Sequence, residues 1–129
     1  MTTNKSELSV ITKAKELCSY VMTVTEKSPK RFRFTLVSRM QNYALDVIEN
    51  LYIAIEIFVP VGRRDQAEKR QTYQQKAQTG LRLLGYIAQL AMEQQCILPN
   101  QYEQITRKVY DSRNLLGAWM VSDRKPFGL

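Results

Sequence analysis

The chain contains no histidine. Ser-His-Asp and Cys-His catalysis, histidine-ligated zinc and the Glu-x-x-His di-iron site of ferritin-like bundles all need an imidazole, and all are excluded. Cysteine is nearly absent: Cys18 and Cys96 are the only two. Two thiolates cannot complete a structural zinc site, so both are expected to be reduced and to pack as small core hydrophobes. Glycine and proline are scarce, five and four. No Gly-rich phosphate loop and no G-x-S-x-G elbow occurs. The longest apolar run, Leu51 to Val61, has eleven residues and is interrupted by Glu56, far short of a membrane span. The opening MTTNKSELSVITKAK has no apolar signal-peptide core. The expectation is a cytoplasmic protein with no membrane partner.

What is present is the makeup of one globular domain. The chain has 129 residues and 15.0 kDa, 44% hydrophobic and 24% charged, enough to bury a core without staples. Its 19 Lys and Arg outnumber 12 Asp and Glu, giving a net charge of +7 and a pI near 9.6. Such a cation excess in a small domain points to an anionic partner.

Pro29, Pro60-Val61-Gly62 and Pro99-Asn100 divide the chain into four segments, each with apolar residues at helical spacing. The first runs Leu8, Ile11, Ala14, Leu17, Cys18, Val21, Met22, with Ser6 as N-cap. The second runs from Leu36 and Val37 to Ile55 and Phe58 and is apolar over more than one stripe, which suggests a surface covered by a second subunit. The third starts at Asp65 as N-cap and runs Tyr73, Ala77, Gly80, Leu81, Leu84, Ala88, Ala91. Gly80 and Gly85 weaken it by about 1 kcal/mol each, so they are expected at close helix contacts. The fourth opens at Pro99 and runs Tyr102, Ile105, Val109, Ser112, Leu116, Trp119, a heptad-like seam. The spacing thus predicts helices over 6–28, 30–59, 65–95 and 99–122 and a loose tail over 123–129, although Arg31 to Val37 alternates briefly like a strand. Four such helices with short loops form an all-α, up-down-up-down bundle of one domain, 1–129.

Catalysis would have to be built from carboxylates, tyrosines and lysines. Asp46, Glu49 and Glu56 share a face of the second helix. A metal or acid–base pair needs matching groups on facing helices. Glu7, Glu16, Glu26, Glu103 and Asp111 do not supply paired spacing. No catalytic residue, metal ligand or cofactor site is read, and the chain is expected not to be an enzyme.

The cations do organise. In an up-down-up-down bundle one end carries Lys27, Lys30, Arg31 and Arg33, with Phe32 and Phe34 interleaved. The other end gathers Lys5, Arg63, Arg64, Lys69, Arg70, Arg124 and Lys125. These are more than half of the chain's 19 cations, and such clusters suit phosphate binding by counterion release. Phe32 and Phe34 could stack on unpaired bases or staple the head of the second helix to the core.

Two stretches are more specific than composition. One is Lys27-Ser28-Pro29-Lys30-Arg31-Phe32-Arg33-Phe34-Thr35-Leu36, leading into Arg39-Met40-Gln41-Asn42 and Leu45-Asp46-Val47-Ile48-Glu49. The other is Gln101-Tyr102-Glu103, followed by Leu115-Leu116-Gly117-Ala118-Trp119. In order, spacing and total length they resemble the Avd-like four-helix bundle family, the accessory variability determinants of diversity-generating retroelements. Proteins encoded in intervening sequences of bacterial ribosomal RNA genes belong to the same superfamily. The resemblance implies a basic, non-enzymatic homopentameric barrel that binds a reverse transcriptase and its template RNA, and supports mutagenic retrohoming. Whether DNA is also bound it leaves open.

The matching positions are Lys30, Arg31 and Arg33 before the second helix and Leu116, Gly117 and Trp119 on the fourth. Gly117 would permit close backbone approach and Trp119 would anchor core or interface. One departure stands out: the family often continues Gly-Gly-Trp-Ile-Lys/Arg, whereas this chain has Gly117-Ala118-Trp119-Met120-Val121, with cations only at Arg124 and Lys125. The alternative from another class is an oligomeric helical adaptor of the intervening-sequence type, with no dedicated polymerase partner.

Overall fold

The computed structural model describes residues 5–128, which form four α-helices: α1 (Lys5–Thr25), α2 (Ser38–Glu56), α3 (Arg64–Glu93) and α4 (Pro99–Arg124). No strand occurs among the described residues. Helix α2 packs on α1 and α3, and α4 closes the ring of neighbours by packing on α1 and α3. The fold is a four-helix bundle, and none of its described helices is long and apolar enough to cross a membrane.

The core follows the expected periodicity. Val10, Leu17 and Val21 meet Met40, Val47 and Leu51, then Leu81, Leu84, Ile105, Leu116 and Trp119, all within 1% of full burial. Ser112 lies inside the α4 seam and is fully buried. On α1 the expected stripe Ile11, Ala14, Leu17, Cys18 and Val21 is buried, and only its first member departs: Leu8 is 55% exposed while Glu7 is buried. Both cysteines are free and buried, and burial pushes both thiols up from their ordinary pKa.

Several ends differ from the expected boundaries. Helix α1 stops at Thr25, whose hydroxyl turns back to the Val21 carbonyl at 2.7 Å and accepts from Gln41 Nε2 at 3.0 Å. Pro29 then disfavours helix at Ser28. Ser6 is inside α1 and not its cap. The segment Lys30–Val37 is neither strand nor α-helix: Lys30–Phe32 make a 3-10 turn and Arg33–Val37 a π turn. Helix α2 ends at Glu56, because Ile57 turns to extended backbone at ψ 111° ahead of Pro60. Asp65 sits in the first turn of α3 beyond its cap, Arg63.

Helix α3 closes through Gln95 at φ 63°, a left-handed position, with Cys96 N–H donating to the Ala91 carbonyl at 2.8 Å. The expected loose tail is ordered as far as described. Asp123 and Arg124 finish α4, Lys125–Phe127 form a 3-10 turn, and Gly128 at φ 68° caps it.

Candidate nucleic-acid interface

Two connections meet at one end of the bundle, the α1–α2 segment and the α3–α4 turn. Ser28 Oγ joins them by donating to the Cys96 carbonyl at 2.8 Å. Burial raises the Cys96 thiol, while a Ser28 hydrogen bond to it and the positive charge of Arg31 act in the opposite direction. The π turn carries one more residue per hydrogen-bonded ring than an α-turn. Through it the two phenylalanines take different roles. Phe32 is half-buried against the core with the Arg31 guanidinium 4.5 Å from its ring centre; Phe34 is 86% exposed. Phe32 is the staple, and Phe34 is the ring that solvent reaches.

Two recesses lie at this end. Lys27, Lys30 and Arg33 border one of about 170 Å³, where Glu26 is the lone carboxylate. Phe34, Arg39, Asn42 and Ile87 border another of about 460 Å³. Arg39 belongs to this end although no run of cations announces it, five uncharged residues separating it from Arg33. It stands over Tyr43, its Nη1 donating to the phenol oxygen at 3.3 Å. Among the described residues, Lys27, Lys30, Arg31, Arg33 and Arg39 form no ion pair.

The opposite end has a different character. Arg63 binds Asp65 through both carboxylate oxygens, at 2.9 and 2.8 Å. Those contacts hold the exposed Asp65 carboxyl down to about 2. Arg64 pairs with Glu68 at 3.2 Å. Arg124 Nε donates to the Met120 carbonyl at 3.2 Å. Lys69 and Lys125 are exposed. The Lys5 side chain lies outside the described residues.

Arg70 departs from the solvent-facing role expected of it. It is 7% exposed, donating to the Ala54 and Ile57 carbonyls at the end of α2 and to Asp123 Oδ1 at 2.8 Å. A guanidinium so committed does not present itself to a phosphate. It serves as a side-chain cap at the C-terminal end of α2, adding a donor to Ala54 and meeting the Ile57 carbonyl.

On α4, Leu116 and Trp119 lie in the core, with the Arg70 guanidinium 6.0 Å from the Trp119 ring centre. A Cβ built on Gly117 would meet nothing within 4 Å, so within this chain Gly117 makes no close approach. Gly85 is equally open, whereas a Cβ on Gly80 would stand 2.9 Å from Val47 Cγ2, the tight α2–α3 contact. Asp46, Glu49 and Glu56 are exposed along α2. No family model matches the chain, and no curated protein matches it at a meaningful level.

Proposed function

We propose that this protein is a basic, non-enzymatic nucleic-acid-binding accessory subunit of the diversity-generating-retroelement type. It would bind template RNA through the α1–α2 end and work beside a reverse transcriptase in the cytoplasm, in a homopentamer. The observation that carries the nucleic-acid part is the contrast between the ends. Arg63, Arg64 and Arg70 have carboxylate partners, while among the described residues Lys27, Lys30, Arg31, Arg33 and Arg39 have none, and the exposed Phe34 ring lies at their end. Unpaired cations release counterions when phosphates replace them, and an exposed ring offers a stacking surface for an unpaired base. The polymerase partner and the pentamer rest on the resemblance of the Lys27–Leu36 and Leu115–Trp119 stretches.

The exposed side chains of Leu45 and Tyr52 on α2 favour a second reading, an oligomeric adaptor that uses apolar faces and needs no RNA. A salt titration of RNA binding separates the two. The parent should show a log–log slope of about −0.7 to −0.9 per phosphate contacted. Lys30→Glu/Arg31→Glu should flatten it, and Arg63→Glu/Arg64→Glu should change it less, because those arginines are already paired. A flat response in the parent leaves the adaptor as the better account. Co-purification with a reverse transcriptase and a light-scattering mass above 15 kDa test the remaining parts.

A further inference from the structure

A groove of about 220 Å³ runs between α3 and α4 and shares no lining residue with the two recesses at the basic end. Its residues pair in a regular antiparallel register. Because α3 and α4 are consecutive and antiparallel, Arg82 and Arg113 lie toward one end of the lining, Gly85, Tyr86, Val109 and Tyr110 in the middle, and Tyr102 toward the α3–α4 turn. Val109 is buried while Tyr86 and Tyr110 are 68% and 62% exposed, so the tyrosines form opposite rims above a floor of Val109 and Gly85. Apart from its chain neighbours and its own helix backbone, nothing lies within 4 Å of where a Gly85 Cβ would be, which leaves that floor open.

The chemistry of the lining is one-sided. It holds two arginines and no carboxylate, and neither arginine forms an ion pair among the described residues. Arg113 Nε is out of contact with solvent and has no hydrogen-bond partner. A buried donor left unmade is costly, and a charged one more so. With two arginines and no carboxylate, the groove suits an anionic occupant.

We propose that this groove binds single-stranded nucleic acid, a base lying between Tyr86 and Tyr110 and a neighbouring phosphate held by Arg82 and Arg113. Aromatic rims accept any base by its face, and arginines from two helices offer forked donors to one phosphate. A duplex keeps its bases stacked inside and has no base to insert. The proposal rests on the nucleic-acid reading above but assigns a separate site, specific for unpaired strand.

Gly85→Leu is the direct test. The glycine is in the interior of α3, where replacing it favours the helix, and the new side chain fills the groove without meeting a neighbour at Cβ. Anisotropy with a fluorescein-labelled oligouridine and with a fully paired RNA hairpin, at one salt concentration, gives the readout. The plugged protein should melt no lower than the parent, bind oligouridine at least about fivefold more weakly, and bind the hairpin as before. Tyr86→Ser/Tyr110→Ser should lose oligouridine similarly, and Tyr86→Phe/Tyr110→Phe should keep it.

Unchanged oligouridine affinity in a folded Gly85→Leu protein overturns the groove site. So does a change in sedimentation mass in place of a change in affinity, which would make the groove a contact between protein chains. If hairpin binding is lost with Lys30→Glu/Arg31→Glu yet both RNAs ignore Gly85→Leu, the groove fails and the basic end stands. If the parent binds neither RNA, both fail.

Discussion

Arg70 on α3 and Asp123 at the end of α4 form a 2.8 Å ion pair with side chains only 9% and 16% exposed. The pair fastens three elements. Arg70 also holds the last carbonyls of α2, and Gln74 Nε2 approaches the second Asp123 oxygen at 3.4 Å. Asp123 also lines, with Val59, Pro60, Pro126 and Phe127, a recess of about 390 Å³ between the α2–α3 loop and the C-terminal turn.

Removing one partner of such a pair should be more harmful than removing an exposed charge. Arg70→Ala strands Asp123 and the Ile57 carbonyl in the interior and removes a second donor from Ala54, a loss of about 3–5 kcal/mol. Asp123→Asn keeps a hydrogen-bond acceptor for the guanidinium and should cost less, about 1–3 kcal/mol. Urea unfolding monitored by circular dichroism measures both. A stability change below about 0.5 kcal/mol for Arg70→Ala, the range of ordinary surface substitutions, would show that Arg70 is not the anchor described.

The helical glycines should separate by sign. Gly80→Ala drives a Cβ to 2.9 Å from Val47 Cγ2, and Val47 is stiff and 1% exposed, so the substitution should destabilise. Adding Val47→Ala should relieve that clash while opening space of its own. Gly117→Ala meets nothing within 4 Å and should stabilise the bundle by about 0.5–1 kcal/mol. Thermal melts of the three proteins decide the matter; a lower melting temperature for Gly117→Ala would place a neighbour against it that the single chain lacks.

Asp65 gives a pH signature. Its carboxyl is held at about 2 against an ordinary 3.8, chiefly by the Arg63 hydrogen bond. A folded pKa below the unfolded one means the pair's contribution is present above the ordinary value and is lost as pH falls through about 2. Carboxyl carbon chemical shifts followed from neutral to acid should show the low midpoint in the parent. In Arg63→Ala the midpoint should rise toward 3.8. An unmoved midpoint would assign the shift to the helix terminus instead.

Gln101 should act as a cap. Its Oε1 accepts from the Leu98 N–H at 2.8 Å, returning a side chain from the first turn of α4 to the residue before it. Leu98 has no side-chain acceptor to answer, so only this half of a capping box exists. Gln101→Ala should cost about 1 kcal/mol, and Gln101→Glu should retain most of it. Amide exchange of Leu98 that is no faster in Gln101→Ala would rule the cap out.

Helix number and core faces were legible in the sequence because both are local properties. A three-four rhythm such as Ile105, Val109, Ser112, Leu116, Trp119 buries one stripe wherever the helix ends up, and even the serine in that seam is inside. Pro29, Pro60 and Pro99 mark the breaks because a missing N–H and a fixed φ act on adjacent residues alone. What each charge does is not local. Arg33 and Arg70 are both arginines in cation-rich stretches, yet one is exposed and the other is held by Ala54, Ile57 and Asp123, groups that only folding brings near. The glycines divide the same way: Gly80, Gly85 and Gly117 sit in equivalent helical contexts, and the helix that crosses opposite each one decides which is a contact and which is open space. The sequence by itself therefore determined the elements and their apolar faces, through interactions between neighbours along the chain. Which cations stay free, and where an open groove forms, came from the tertiary structure alone, because both depend on groups distant in sequence meeting across helices.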